Sequence, residues 1–296
     1  MTIQRSRGLI GVALASIVVG AAACKAGPPP PVLTQEMDAR RGASDLRIQF
    51  TKAAEAANRA VMADTDEASA AAAREAEQAT KAVQQDVERL QTLLQSLSDS
   101  VASQYLVEFK TRFAEYQTLD GEILPLAVEN TNLKAQRLSF GDAQQAVDAF
   151  QQALAAASPP NAPKSACCID ALAAQARAAI LEMQVIQARH IAESDEAAMS
   201  RMEAQMAASE AAARKALTTL AGQLPAAAAP HVAAARTALD RFLSVNSEIV
   251  KLSRRNSNVR SLALSLGRKR TVTAECEVAL SSLDDAIAKS GFNATR

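Results

Sequence analysis

LAVENTNLKAQRLSFG (residues 126–141) and LSRRNSNVRSLALSLG (residues 252–267) are two versions of one phrase, 126 positions apart. At that offset Glu122 meets Glu248 and Leu126 meets Leu252. Asn130 meets Asn256, Asn132 meets Asn258 and Gly141 meets Gly267. Further on, Ala153-Leu154 meets Ala279-Leu280. Upstream, Thr65-Asp66-Glu67-Ala68 meets Ser194-Asp195-Glu196-Ala197 at an offset of 129. The chain therefore carries one unit of ~120 residues twice, a length within the ordinary range of a domain. Three prolines in SPPNAPK (158–164) separate the copies, because proline has no amide donor and clashes with the preceding helical turn. The units are 37–157 and 165–290, with a short tail over 291–296.

Within each unit the apolar period is helical. Phe109, Phe113, Tyr116, Leu119, Ile123 and Leu126 fall at three- and four-residue steps, and Leu239, Phe242, Val245, Ile249 and Leu252 repeat the stripe. Apolar residues make up 49% but aromatics only 3%, so alanine carries much of the apolar content. That suits closely packed helices and suits a sheet badly. Capping chemistry sets the breaks. Asp64 or Thr65 in ADTDEAS offers an oxygen to orphan amides, with Asp66 and Glu67 in the first turn, and ESDEAAMS carries the same signal. ENTN and RNSN offer further caps. SLSDS (96–100) and GQLPAAAAP (222–230) also mark turns. Eight helices follow, at about 37–63, 66–97, 101–129, 132–157, 166–192, 195–222, 230–255 and 258–290.

The expected fold is all-α, two tandem antiparallel four-helix bundles, each helix ~42 Å long. The alternative is one elongated four-helix bundle of two long helical hairpins, which requires ENTN and DTDE not to break the backbone. Pro125 weighs against a continuous helix in the first unit, and Gly141 and Gly267 mark soft spots.

The N-terminus reads differently. Arg5 and Arg7 precede an apolar run, LIGVALASIVVGAAA (9–23), too short to span a bilayer comfortably and suited to a secretory signal. Ala21-Ala22-Ala23-Cys24 resembles a bacterial lipoprotein signal, in which the cysteine is lipidated and becomes the mature terminus. The resemblance implies a signal peptide over 1–23, a lipid on Cys24 and, from Lys25, the outer membrane. The protein would then face the periplasm in the cell envelope. Residues 24–36, with their run of prolines, read as a stiff polyproline spacer.

Phe113-x-x-Tyr116, Glu122-Ile123-Leu124-x-Leu126-Ala127, the polar turn and Lys134-Ala135-x-x-Leu138 resemble the four-helix-bundle sensor domain of bacterial methyl-accepting chemotaxis receptors. Asn58 to Asp64 leading into Thr65-Asp66-Glu67 does so too, and the resemblance extends to both units. It implies a sensor-type fold. The chain shows no second apolar span and no signalling hairpin, so the expectation is a sensor fold tethered by its N-terminus alone. Receptors of this type bind small anions with arginines near the end of the first helix. That implies Arg59, with Arg189 its counterpart in the second unit, as ligand-binding candidates.

Arg254, Arg255, Arg260, Arg268, Lys269 and Arg270 form a basic run without an acid. It reads either as a site for a small anionic ligand, lipid head groups or cell-wall polymer, or as a solvated face balanced elsewhere. Arg254 and Arg255 are the candidates within it. Lysine plus arginine and aspartate plus glutamate both number 32, which gives no global field for nucleic acid. His190 and His231 lie in no metal-ligand spacing, and no phosphate loop, cofactor motif or nucleophile triad is legible. Cys167, Cys168 and Cys276 allow a Cys168–Cys276 disulfide between first and fourth helices of the second unit. Antiparallel register places Cys168 ~18 Å from Cys276 along the helix, however. The other reading is small buried side chains or an intermolecular bond. The functional expectation is a non-catalytic, lipid-anchored envelope protein that binds a small molecule or a membrane signalling protein. The alternative is a scaffolding lipoprotein whose bundles act as spacers or as oligomerisation surfaces for further copies.

Overall fold

The computed structural model describes residues 31–157 and 166–293. The signal, Cys24 and the proline linker lie outside the described residues. Among the described residues ten α-helices run in order: α1 (Pro31–Met62), α2 (Asp66–Ser96), α3 (Ser100–Glu129), α4 (Thr131–Leu138), α5 (Gln144–Ala157), α6 (Ala166–Ala192), α7 (Glu196–Gln223), α8 (Ala229–Arg255), α9 (Ser257–Leu264) and α10 (Arg270–Asn293). A π-helical turn joins α4 to α5 at Ser139–Ala143 and α9 to α10 at Ser265–Lys269. The eight expected segments thus form, and the fold is all-α. Both anticipated glycines, Gly141 and Gly267, fall inside the π turns, and Gly267 leaves helical backbone altogether (φ −87°, ψ −114°).

Three boundaries are capped by side chains, two at the expected caps and one at the SLSDS turn. Thr65 Oγ1 accepts from the Ala68 amide, Asp99 Oδ1 from Ala102, and Asp195 Oδ1 from Ala197 and Ala198. Two details differ. Pro31 to Gln35, read as polyproline spacer, open α1 instead, because proline suits the first helical turn, where its missing N–H has no partner to lose. Pro125 stays inside α3, and the break comes five residues later.

Asn130 and Asn256 are those breaks. Each is a single left-handed residue (φ 51° and 54°), a conformation asparagine tolerates better than most. Neither caps the following helix with its own side chain. The other reversals have more chain to use: residues 63–65, 97–99, 193–195 and 224–228 are all outside α-helix. One residue cannot fold α4 back onto α3 at the 8–10 Å separation of packed helices. The chain instead crosses over. α9 and α10 pack on α1 and α3, and α4 and α5 pack on α8 and α6.

Two four-helix bundles result, but each takes its fourth helix from the other repeat. In the first bundle Val272, Leu280 and Leu283 of α10 share a core with Leu46, Leu90 and Phe109. In the second, Val147, Phe150 and Leu154 of α5 share a core with Ile180, Met206 and Phe242. Arg112–Glu275 (3.2 Å), Arg268–Glu115 (2.6 Å) and Arg47–Asp284 (3.0 Å) fix α10 antiparallel to its neighbours. The repeats 37–157 and 165–290 are therefore units of sequence and not units of packing.

The same exchange removes the Cys168–Cys276 disulfide. Cys276 is buried in the core of the first bundle, whereas Cys168 is exposed on α6 of the second, and both are free thiols, as is Cys167. Burial pushes the Cys276 thiol up to about 12 and leaves it inert.

Candidate functional site: a charged centre in the first bundle

The repeated ENTN and RNSN phrases meet face to face where the bundles join. The Thr131 amide donates to Ser257 Oγ and the Ser257 amide to Thr131 Oγ1, both at 3.0 Å. The Asn132 amide donates to Asn258 Oδ1 and the Asn258 amide to Asn132 Oδ1, both at 3.1 Å. Each helix start is thus capped by side chains of the other repeat, about a local two-fold axis. Asn132 Nδ2 reaches Asn256 Oδ1 and the Ile191 carbonyl, and Asn256 Nδ2 reaches the Glu193 carbonyl. At one pair of equivalent positions the charges are opposite: Arg255 grips Glu129 with Nε at 2.7 Å and Nη2 at 2.5 Å. Its guanidinium holds the Glu129 carboxyl below the usual range.

The arginine candidates are mostly spoken for. Arg59 pairs with Glu75 at 2.5 Å. Arg254 donates to Glu203 Oε1 (2.7 Å) and Ser200 Oγ (2.8 Å). Arg189 is exposed on α6. All four lie in the last turns of α1, α6 and α8, where cations also meet the negative helix end. They do not converge on one cleft. In the basic run Arg254, Arg255, Arg268 and Lys269 each have a carboxylate partner, which is the balanced-face reading of that stretch. Beside Arg254, the fully buried His190 bridges Ser253 Oγ (Nδ1, 2.6 Å) and Glu203 Oε1 (Nε2, 2.9 Å), tying α6, α7 and α8 together. Among the described residues no group of three or more His, Cys, Asp or Glu is placed to hold a metal.

The side chains that stand out are Lys269 of the basic run, Tyr116 of the apolar stripe and, beside them, Asp120. Lys269 is 2% exposed, Asp120 5% and Tyr116 0%. Lys269 Nζ donates to Asp120 Oδ1 and sits 5.0 Å from the centre of the Tyr116 ring. Tyr116 continues an aromatic cluster, with Phe50 edge-on to it (5.3 Å) and to Phe109 (5.6 Å). Asp120 Oδ2 and the Tyr116 hydroxyl have no hydrogen-bond partner of good geometry. Burial raises the Asp120 carboxyl and lowers the Lys269 ammonium, each opposed by the charge of the other. Burial, then the Asp120 charge, raises the Tyr116 hydroxyl.

The second bundle supplies an internal comparison. At the positions of Tyr116, Asp120 and Lys269 it has Phe242, Asn246 and Ala143, and at Asn58 it has Gln187. Gln187, fully buried, accepts from Ser139 Oγ (3.0 Å) and donates to Asn246 Oδ1 (2.8 Å), which closes that space with matched neutral groups. In the first bundle the shorter Asn58 is exposed and meets Ser265 Oγ only at 3.4 Å. A cleft of ≈ 420 Å³ opens there between α1 and the α9–α10 segment, walled by Asn58, Met62, Leu262, Leu266, Lys269 and Arg270. A second cleft of ≈ 440 Å³ lies between α2 and α3, with Asp120 in its wall. The signal in the sequence was Asp120, four residues after Tyr116 on an otherwise apolar stripe. Lys269 was hidden in the basic run, and only the π turn puts it on the buried face.

No protein-family model matches the chain, and neither a curated protein nor a solved structure similar to it was found.

Proposed function

We propose that this is a non-catalytic, lipid-anchored protein of the bacterial cell envelope whose first bundle binds a small molecule, with the second bundle as its packing partner. The observation that carries the binding role is the contrast between equivalent places in the two bundles. One is closed by hydrogen-bonded neutral groups, while the other keeps a buried ion pair, two unsatisfied polar atoms and open clefts of the size small ligands occupy. The resemblance to chemotaxis sensor domains supports the same reading, with Lys269 and Asp120 in place of the expected arginines. The anchor rests on the Ala-Ala-Ala-Cys24 signal, and no described helix is long and apolar enough to cross a membrane.

A thermal-shift screen of the fragment from Gly27 onward, with amino acids, organic acids, amines and cell-wall fragments, tests the binding role. A true ligand at a hundredfold excess over its dissociation constant stabilises the fold by ~2.7 kcal/mol. The shift is expected to vanish in the double variant Asp120→Leu/Lys269→Met. A flat panel from a cooperatively folding protein supports the scaffolding reading instead, which the interlocked repeats and the paired arginines favour. Cys24→Ser is expected to abolish acyl labelling and release the chain from membranes. Membrane retention without label would point to an uncleaved anchor.

A further inference from the structure

α6 has two apolar faces and only one of them is buried in its bundle. Ala176, Ile180, Met183 and Ile186 belong to the core of the second bundle. On the other side Cys167, Ala171, Ala174, Ala178, Leu181, Val185 and Ala188 are all exposed, Val185 by 64% and Leu181 by 40%. Steps of four and three residues alternate along this whole row, and no charged side chain interrupts it. That is the a/d seam of a coiled coil, with small residues that let two helices approach closely. The outward face of α1, the corresponding helix of the first bundle, is instead broken by Arg41, Ser44, Thr51 and Glu55. A face that only meets water needs no apolar heptads, so the contrast singles out α6 as a face that meets another helix.

The flanks of the seam select the partner. Gln175, Glu182 and Arg189 run along one flank, and Asp170, Arg177 and Gln184 along the other. When two α6 helices pair in parallel, the g position of one heptad meets the e position of the next heptad on the partner. Asp170 then meets the partner's Gln175, Arg177 the partner's Glu182, and Gln184 the partner's Arg189. No like charges face each other, and the Arg177–Glu182 pair forms twice, once on either side of the two-fold axis. Glu182 Oε2 accepts from Ser209 Oγ at 2.9 Å, which leaves Oε1 for the arginine. The same axis sets Cys167, an exposed free thiol, opposite the partner's Cys167, whereas Cys168 lies off the seam. An antiparallel pair would carry Cys167 to the far end of the partner helix.

We propose that the outward face of α6 is a homodimerisation face: two copies of this chain pair their α6 helices in parallel, and a Cys167–Cys167 disulfide fixes the pair. The assignment is independent of the small-molecule reading of the first bundle. A parallel pair points both chains the same way, as two chains anchored in one membrane must be. The bond forms by exchange with a small-molecule disulfide. One Cys167 thiolate attacks it and releases a thiolate; the partner's Cys167 thiolate then displaces the second half from the mixed disulfide. One S–S bond replaces another, and the two protons lost by the cysteines are taken up by the released thiolates.

Incubating the full chain, purified in mild detergent, with oxidised and reduced glutathione tests the assignment. Free thiols are then blocked with N-ethylmaleimide, and non-reducing electrophoresis with peptide mapping reads the product. A dimer linked Cys167 to Cys167 is expected, kept in Cys168→Ser and absent in Cys167→Ser. Val185→Glu changes an exposed side chain, so the fold is kept, and it is expected to slow dimer formation about tenfold. Arg177→Glu is expected to slow it as well, by setting acid against acid, and Arg177→Glu/Glu182→Arg to restore the rate. Monomer with every thiol blocked, or a bond made through Cys168, overturns the proposal. A rate unchanged in Val185→Glu also overturns it, because exposed thiols would then be meeting by chance collision. Failure of the charge swap to restore the rate overturns the parallel pairing.

Discussion

Cutting the chain between Ala157 and Ala166 is expected to leave two fragments that do not come apart. A protease site placed in the linker tests this, with size-exclusion chromatography of the nicked protein. Each fragment supplies three helices of one bundle and the fourth helix of the other, so separation would strip α10 from the core around Phe109 and α5 from the core around Phe242. Phe150 and Leu154 of α5, and Val272, Leu280 and Leu283 of α10, are fully buried or nearly so. Burying one such side chain contributes about 1.5–3 kcal/mol, so the five together are comparable to the whole stability of a typical domain. The junction adds the reciprocal caps of Thr131, Asn132, Ser257 and Asn258. The nicked protein should elute with the intact one and separate only in denaturant. Fragments expressed alone should be poorly folded and should regain cooperative unfolding on mixing. Two independently folding halves would elute separately, and that result would exclude the exchanged arrangement.

Replacing Lys269 with methionine is expected to cost about 3–5 kcal/mol, because it leaves the Asp120 carboxylate buried without its cation. Asp120→Leu alone should cost a similar amount by stranding the ammonium. The double variant should lose little, and on the behaviour of other buried pairs could gain about 1–4 kcal/mol. Urea unfolding of all four proteins measures the cycle. The pH dependences of the single variants should have opposite signs. Without Lys269 the folded-state pKa of Asp120 rises further above its unfolded value. The folded state then holds the extra proton, and stability is greatest below the ordinary aspartate range and is lost as pH climbs. Without Asp120 the folded-state pKa of Lys269 falls further, so stability is lost as pH drops and recovered toward the alkaline side. Additive single effects would mean that the two groups do not share one desolvated site.

The identity of the residues around this centre also supports the proposed binding role. A core that needed only stability would be served by the second bundle's solution, in which Phe242, Asn246 and Gln187 fill the equivalent space with neutral, matched groups. The first bundle keeps Tyr116, Asp120 and Lys269 at a desolvation cost, and buried ionisable groups in a cleft are where binding chemistry concentrates. Pro125 fits the same account. It removes a helical hydrogen bond in α3 beside that cleft, whereas its counterpart Lys251 does not.

The sequence by itself determined the helices, their ends and the repeat. Those are local properties: an apolar residue every three or four positions, an oxygen-bearing side chain before a first turn, a proline without an amide. Thr65, Asp99 and Asp195 sit at their caps because the orphan amides they satisfy are only two or three residues away. What the tertiary structure decided is which apolar face meets which. The two repeats carry similar stripes, so α5 and α10 are nearly interchangeable as far as their own patterns go. A stripe says that a face will be buried and nothing about its partner. The choice fell to Asn130 and Asn256, where a single left-handed residue gives too little chain to turn back and sends each fourth helix into the other bundle. That crossing pairs the two asparagine-rich phrases and parts Cys168 from Cys276. It also brings Lys269 across 149 positions to Asp120. No local pattern reports a contact that far along the chain, because its energy exists only once the helices have packed.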